Sequence, residues 1–309
     1  MGIRRVLGVG ALAVVLVAGV AAAALAGPRL AVVKVSPKRP PLELVTVAAD
    51  GTHSVRIVGS GRRSRPQVDF FSPISWSPDG AMVAFSGIVG FEKGDDHEPI
   101  RRIFIVGADR SGLRAVRGTN GATGPVLSPD GHTVAFTRSV DRETETVVGG
   151  TRRRRGFHGS SIWTIDLHTG AQRQLTPWQD GLEYTASSFS PDGSTLLATR
   201  EDPFLNYEEQ PMALKLDGSG SRPVYNDGFS PVYSPDGSKI ALIRRTESYT
   251  DSGGEDSDLY VIDADGTDLR RLTRTPGRFE LSPSWDPSGE RLAYVRLPGS
   301  RSEDAPFGF

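Results

Sequence analysis

One short pattern, written five times, limits what this chain can fold into. Its first copy, "ISWSPDGAMVAFSG", begins at Ile74. Pro78 presets φ for the second position of a type I turn. Asp79 offers a carboxylate to nearby backbone N–H groups, and Gly80 accepts the left-handed conformation that closes a three-residue hairpin. Apolar residues alternate on both flanks, Ile74 and Trp76 before the turn, Val83 and Phe85 after it. The pattern is strand, turn, strand. The other copies are "GPVLSPDGHTVAF", "SSFSPDGSTLLAT", "PVYSPDGSKIALI" and "PSWDPSGERLAYV", with turn prolines Pro129, Pro191, Pro235 and Pro287. Two residues before each proline stands a large apolar side chain: Trp76, Leu127, Phe189, Tyr233 or Trp285.

A second hairpin alternates with the first. It reads "LELVTVAADGTHSVRIV" from Leu42, "IFIVGADRSGLRAV" from Ile103, "IWTIDLHTGAQRQLT" from Ile162, "MALKLDGSGSRPV" from Met212 and "LYVIDADGTDLRRLT" from Leu259. One hairpin of each kind makes a four-stranded antiparallel sheet. Repeated at roughly 45 to 60 residues, such sheets predict an all-β propeller. The spacing predicts five blades, with the opening hairpin (42–58) and the closing one (284–296) pairing into one blade to shut the ring. Six blades is the alternative, with a degenerate one between Gly59 and Ser72.

"WSPDG" followed by "AMVAF", then "LYVIDADGTDLRRLT", resembles the WD-repeat-like propeller repeat of TolB-type proteins, over Leu42 to Arg296. The resemblance implies a scaffold in the cell envelope that engages an envelope protein or peptide. It also implies six blades, where the repeats count five. The same repeat resembles the propellers of some serine peptidases. Those carry a separate catalytic domain, which the short tail after Arg296 does not supply.

A formal net charge of −1 argues against a general nucleic-acid binder. With no cysteine, disulfides, thiolate metal sites and cysteine nucleophiles are excluded. No His-x-x-x-His pair and no Gly-x-Ser-x-Gly elbow occurs, so neither a zinc protease nor a hydrolase is expected, and no catalytic residue is assigned.

Residues 1–27 carry Arg4 and Arg5, then an uncharged run from Val6 to Ala26, read as a hydrophobic helix. It serves as a cleaved signal peptide or an uncleaved anchor, and places the remainder outside the cytoplasm under both readings. As an anchor it would associate the chain with the membrane. Residues 28–41 read as a proline-containing stalk, 42–296 as the propeller and 297–309 as a tail.

The tight turns fall on one face of the disc. The long connections, Gly87 to Arg102, Ser139 to Ser161, Glu201 to Pro211 and Arg245 to Asp258, fall on the other. Long connections on a rigid scaffold are where binding concentrates. Candidate binding residues on that face are Asp95, Asp96, Arg152, Arg153, Arg154, Arg155, Trp178, Tyr184 and Tyr207. The arginine run suits anionic lipid, a phosphate-bearing polymer or an acidic partner, or is a solvated charge run. Trp178 and Tyr184 are binding aromatics or packing between blades. No cofactor is expected. Clustered acids near Asp95, Glu208 and Asp256 could hold calcium, or are solvated loop. Arg138, Arg200, Arg244 and Arg296 recur seven residues after the turn glycine, either closing blade edges or forming a cationic ring. The expected function is a protein-interaction scaffold working through the loop-rich face. The alternative is a metal-dependent, lactonase-like enzyme using the central channel.

Overall fold

A computed structural model describes residues 18–21, 29–34, 43–48, 52, 54–58, 66–69, 73–77, 79–91, 99–148, 151–179, 181–202, 208–246 and 256–298. They form six antiparallel sheets. The first is β1 (Ala18–Ala21), β2 (Arg29–Lys34), β3 (Glu43–Ala48) and β4 (Val55–Val58). In the second, β5 (Gln67–Val68) and β6 (Ser75–Trp76) both pair with β7 (Met82–Phe91), followed by β8 (Pro99–Gly107) and β9 (Arg114–Ala115). The third is β10 (Ala122–Leu127), β11 (Thr133–Val148), β12 (Thr151–Asp166) and β13 (Gln172–Gln174). The fourth is β14 (Glu183–Phe189), β15 (Thr195–Asp202), β16 (Glu208–Lys215) and β17 (Ser221–Pro223). The fifth is β18 (Phe229–Tyr233), β19 (Lys239–Thr246), β20 (Asp256–Asp263) and β21 (Arg270–Arg271). The sixth has two strands, β22 (Arg278–Trp285) and β23 (Leu292–Pro298). Innermost strands β6, β10, β14, β18, β22 and β1 follow one another in a closed circle.

Alternation explains the stacking. On β15, Leu196 and Ala198 face the third sheet, while Leu197 faces the fifth. On β7, Val83 and Phe85 face the first sheet and Ala84 faces the third. Every sheet therefore buries both faces, and one apolar cluster fills each of the joints between neighbours.

The repeated turn works through its serine as much as its aspartate. Ser77, Ser128, Ser190 and Ser234 each donate Oγ to the aspartate two residues on, at 2.5–2.6 Å. Each also accepts the backbone N–H five residues on, at 2.8–3.0 Å. The fifth copy exchanges the two residue types: Asp286 accepts the N–H of Arg291 at 3.0 Å and the hydroxyl of Ser288 at 2.8 Å. The turn glycines hold φ of 69–73°, and Gly193, Gly237 and Gly289 each lie against the proline of the preceding turn. A Cβ at Gly237 would lie 3.2 Å from Pro191 Cδ.

Three expectations change. The hairpins at 42–58 and 284–296 do not share a sheet. The edge of β3 is already taken by β2, through Val45↔Val32 and Leu44↔Val33. The first and sixth sheets meet instead through their faces, where Val45 and Val295 are buried with Leu281 and Leu297 beside them. Nor do residues 59–72 hold a further sheet; their described part gives β5 of the second. Of the apolar N-terminal run, the described residues are strand β1, not helix. No helix among the described residues is long and apolar enough to cross a membrane.

Leu197 is fully buried between the fourth and fifth sheets, and Leu197→Ala should cost about 2–5 kcal/mol in denaturant unfolding. The hydrogen bonds from Ser234 and Ser238 lower the Asp236 carboxyl from 3.8 to about 2. That contribution to stability is present above pH 3.8 and lost as pH falls through about 2. Ser234→Ala should move the NMR titration of Asp236 back towards 3.8 and weaken the fall in stability over that acid window.

Candidate interaction surface

The turns just described lie on one face of the ring. On the other, strands run past their neighbours. Much of what reads as loop is strand: β7 continues to Phe91, β15 to Asp202 and β19 to Thr246. The largest departure is the 139–161 connection. It is an uninterrupted ladder, from Ser139↔Ser160 to Val148↔Thr151. Its flanking strands stop at the root, β10 at Arg138 and β13 at Trp163. The ladder is therefore a two-stranded arm. Arg152, Arg153, Arg154 and Arg155 occupy its outer part, opposite Val147, Thr146, Glu145 and Thr144.

The arm is braced where it leaves the ring. Gly181 N donates to His158 O at 2.7 Å, and Ser160 N to Leu182 O at 3.0 Å. Ser160 Oγ accepts from Tyr184 N at 2.7 Å and donates to Tyr184 O at 2.9 Å. Gly159 is needed here. A Cβ on it would sit 2.6 Å from Gln179 O and 3.1 Å from Trp178 Nε1. Trp178 is half-buried against this root. Tyr184 is not a surface aromatic: it lies in the core between the third and fourth sheets, and burial raises its phenol pKa. Asp95, Asp96 and Tyr207 lie outside the described residues.

Each of the recurring arginines is tied down by a partner. Arg138 donates to Gly118 O at 2.9 Å and lies over the Trp163 ring at 4.7 Å. Arg200 pairs with Asp202 at 2.6 Å, Arg244 with Asp227 at 2.9 Å, and Arg296 with Glu280 at 2.7 Å. Arg138, Arg200 and Arg244 lie on the second strands of their sheets, with a strand on either side, and each is held by a nearby carbonyl or carboxylate. Glu280 is fully buried and also accepts from Thr273 Oγ1 at 2.5 Å and Leu259 N at 2.9 Å.

Acidic groups proposed for calcium are engaged where they are described. Asp256 accepts Gly277 N at 2.8 Å, and Asp258 accepts Thr275 N at 3.1 Å and pairs with Arg271. Among the described residues, no group of three or more His, Asp or Glu gathers to hold a metal. In "DADGTD", Gly266 N donates to Asp263 O at 2.8 Å, as in a plain hairpin turn.

A row of charge crosses three sheets on this face. His158 contacts Glu183 at 3.0 Å; Glu183, Glu201 and Glu209 stand opposite one another across β14, β15 and β16; Arg245 reaches Glu209 at 3.1 Å. Burial, then Glu183 and Glu209, raise the Glu201 carboxyl pKa.

Sequence reasoning passes over two sets of residues. Thr119, Thr176 and Thr273, each buried after a fourth strand, accept the N–H of Ile103, Ile162 and Leu259 at 3.1, 2.8 and 2.9 Å. The recurring Leu-Thr ending of the second hairpin, in "RQLT" and "RRLT", signals Thr176 and Thr273 but not Thr119. The second set lines a central cavity of about 510 Å³. Inner strands bulge there: Gly124, Ser230 and Ser282 adopt φ of 60°, 51° and 51°, each followed by proline. The bulges turn Pro125, Ser230, Ser282 and Pro283 toward the cavity, beside Trp76 and Trp285.

No family model matches the chain. It is 32% identical over 142 residues to the Tol-Pal system protein TolB of Anaeromyxobacter sp. (strain K), covering 45% of this chain and 29% of that protein. The structure of TolB from Acinetobacter baumannii superposes with a TM-score of 0.61 at 21% identity, over 85% of this chain and 57% of that one. A gluconolactonase from Xanthomonas campestris superposes with a TM-score of 0.53 at 15% identity, over 93% of this chain and 86% of that one. The chain spans less than a third of the curated TolB it matches. In fold the chain is a β-propeller, and in repeat it is similar to TolB.

Because the Glu201 pKa is raised, its ionised form costs stability above the folded pKa, and that cost disappears below the ordinary value of 4.5. Glu201→Gln should therefore raise the melting temperature at pH 7 and lose that advantage at pH 4, read by calorimetry at both pH values.

Proposed function

We propose that this chain is an extracytoplasmic propeller of the cell envelope that acts as a protein-interaction scaffold, and that its partner, a protein or peptide, docks on the face where the strands overrun their neighbours. The carrying observation is that asymmetry. One face repeats a single turn chemistry, and the other carries hairpins of differing length. Likeness to TolB, named for the Tol-Pal system, supports the envelope setting. The arginines that recur on this face are held by internal partners, so recognition falls to the overrunning hairpins themselves.

A metal-dependent enzyme of the gluconolactonase kind is the second reading, favoured by the fold likeness. Such chemistry needs carboxylate or imidazole ligands converging on the channel. The described cavity lining consists of Pro, Ser, Thr, aliphatic and aromatic residues. That donor set favours binding over metal catalysis.

Two exposed apolar residues give a test with an internal control. Phe91, 56% exposed, ends β7 on the proposed face, and Leu113, 44% exposed, sits by a third–fourth turn on the opposite face. A photo-crosslinking amino acid at each position, irradiated in intact cells, should give discrete protein adducts from position 91 and none from position 113. Adducts from position 113 alone, or the same adducts from both, would overturn the assignment of the face.

A further inference from the structure

We infer that the β11–β12 arm is a membrane-docking element, which seats its outer end in the headgroup layer of a bilayer rich in anionic phospholipid. Past its root the arm has no flanking strand among the described residues. At about 3.3 Å per residue, the ladder from Ser139↔Ser160 to Val148↔Thr151 projects on the order of 30 Å. Its charge is graded along that length. The outermost rungs, Val148↔Thr151, Val147↔Arg152 and Thr146↔Arg153, carry two arginines and no acid; Glu145 comes next, opposite Arg154, and Glu143, Arg142 and Asp141 lie nearer the root.

Three features select a bilayer over other anions. Successive strand positions lie on opposite faces, so Arg152 to Arg155 divide between both faces of the ribbon. A run of consecutive strand positions suits an extended field of phosphates better than a single one. The order along the arm is the second feature. Val148 forms the outermost described rung with Thr151, Val147 shares the next with Arg152, and Arg153 follows opposite Thr146. Apolar first and cationic next is the order of depth in a membrane interface, acyl boundary and then phosphate. An acidic protein or a soluble polyanion would not call for the apolar end. Third, the root is held at Gly159 by backbone bonds from 181 and to 182, with Trp178 packed beside it. The end is thus carried on a braced element and not on a slack loop.

The test is co-sedimentation of the full chain with vesicles of phosphatidylcholine alone and of phosphatidylcholine with phosphatidylglycerol. Neutral vesicles report any contribution of the apolar N-terminal run; the gain on adding phosphatidylglycerol reports the arm. Wild type should bind the anionic vesicles at least about tenfold more tightly, and the gain should fall away in molar salt. Replacing Arg152 to Arg155 by alanine should abolish the gain, and replacing all four by lysine should keep it. Val147→Ser with Val148→Ser should reduce it severalfold. An equal gain in wild type and the alanine variant would overturn the proposal. So would loss of the gain in a lysine variant that melts normally, which also decides the matter if the alanine variant fails to fold. Release of the bound protein by millimolar inorganic phosphate would overturn it too, in favour of a discrete anion site. No protein partner enters this assay, so its failure leaves the scaffold reading standing.

Discussion

Burial of every sheet on both faces is the constraint from which the architecture follows. Leu196 and Leu197 are adjacent on one strand and both fully buried, so they must be covered from opposite sides. A sheet of this kind is never an end piece. A row of them would expose two apolar faces, and only a closed circle leaves none. The two-stranded sixth sheet meets the requirement as the others do, covering Phe229 and Ile243 of the fifth on one side and Val45 of the first on the other. Closure here is a matter of faces and not of edges.

What the amino acids announce and what they conceal divide along a physical line. The hairpins are legible because their causes are local: a proline, a hydroxyl–carboxylate pair and a glycine within five positions, with period-2 flanks. Sheet stacking follows from the same alternation. The N-terminal run is not legible, because an unbroken apolar stretch carries no period to tell strand from helix. The arm is concealed for a different reason. Four arginines in succession lack a strand-like alternation, and their pairing partners are Thr144, Glu145, Thr146 and Val147. Tyr184 looks like an exposed aromatic of a connection, yet its burial depends on residues of the third sheet. The four arginines after the turn glycines were visible as a recurrence, but their partners differ at each copy: a carbonyl at Gly118, then Asp202, Asp227 and Glu280.

The two faces are therefore under different physical regimes. On the turn face the copies satisfy matching hydrogen bonds and three of them pack on the proline of the turn before, which leaves little room for variation. On the opposite face a hairpin can lengthen without disturbing the apolar joints, because the added residues leave the ring altogether. Binding function can be placed there at small cost to the fold.

The exchanged pair in the last turn, Asp286 and Ser288, has a bearing on how such chains are recognised. The turn tolerates either order because it asks for complementarity, one short side chain to give a proton and one to take it, two positions apart. A search for the literal letters Ser-Pro-Asp-Gly would stop one unit early and misjudge where the circle ends. Scanning for reciprocal donor and acceptor would find that unit and, with it, the seam.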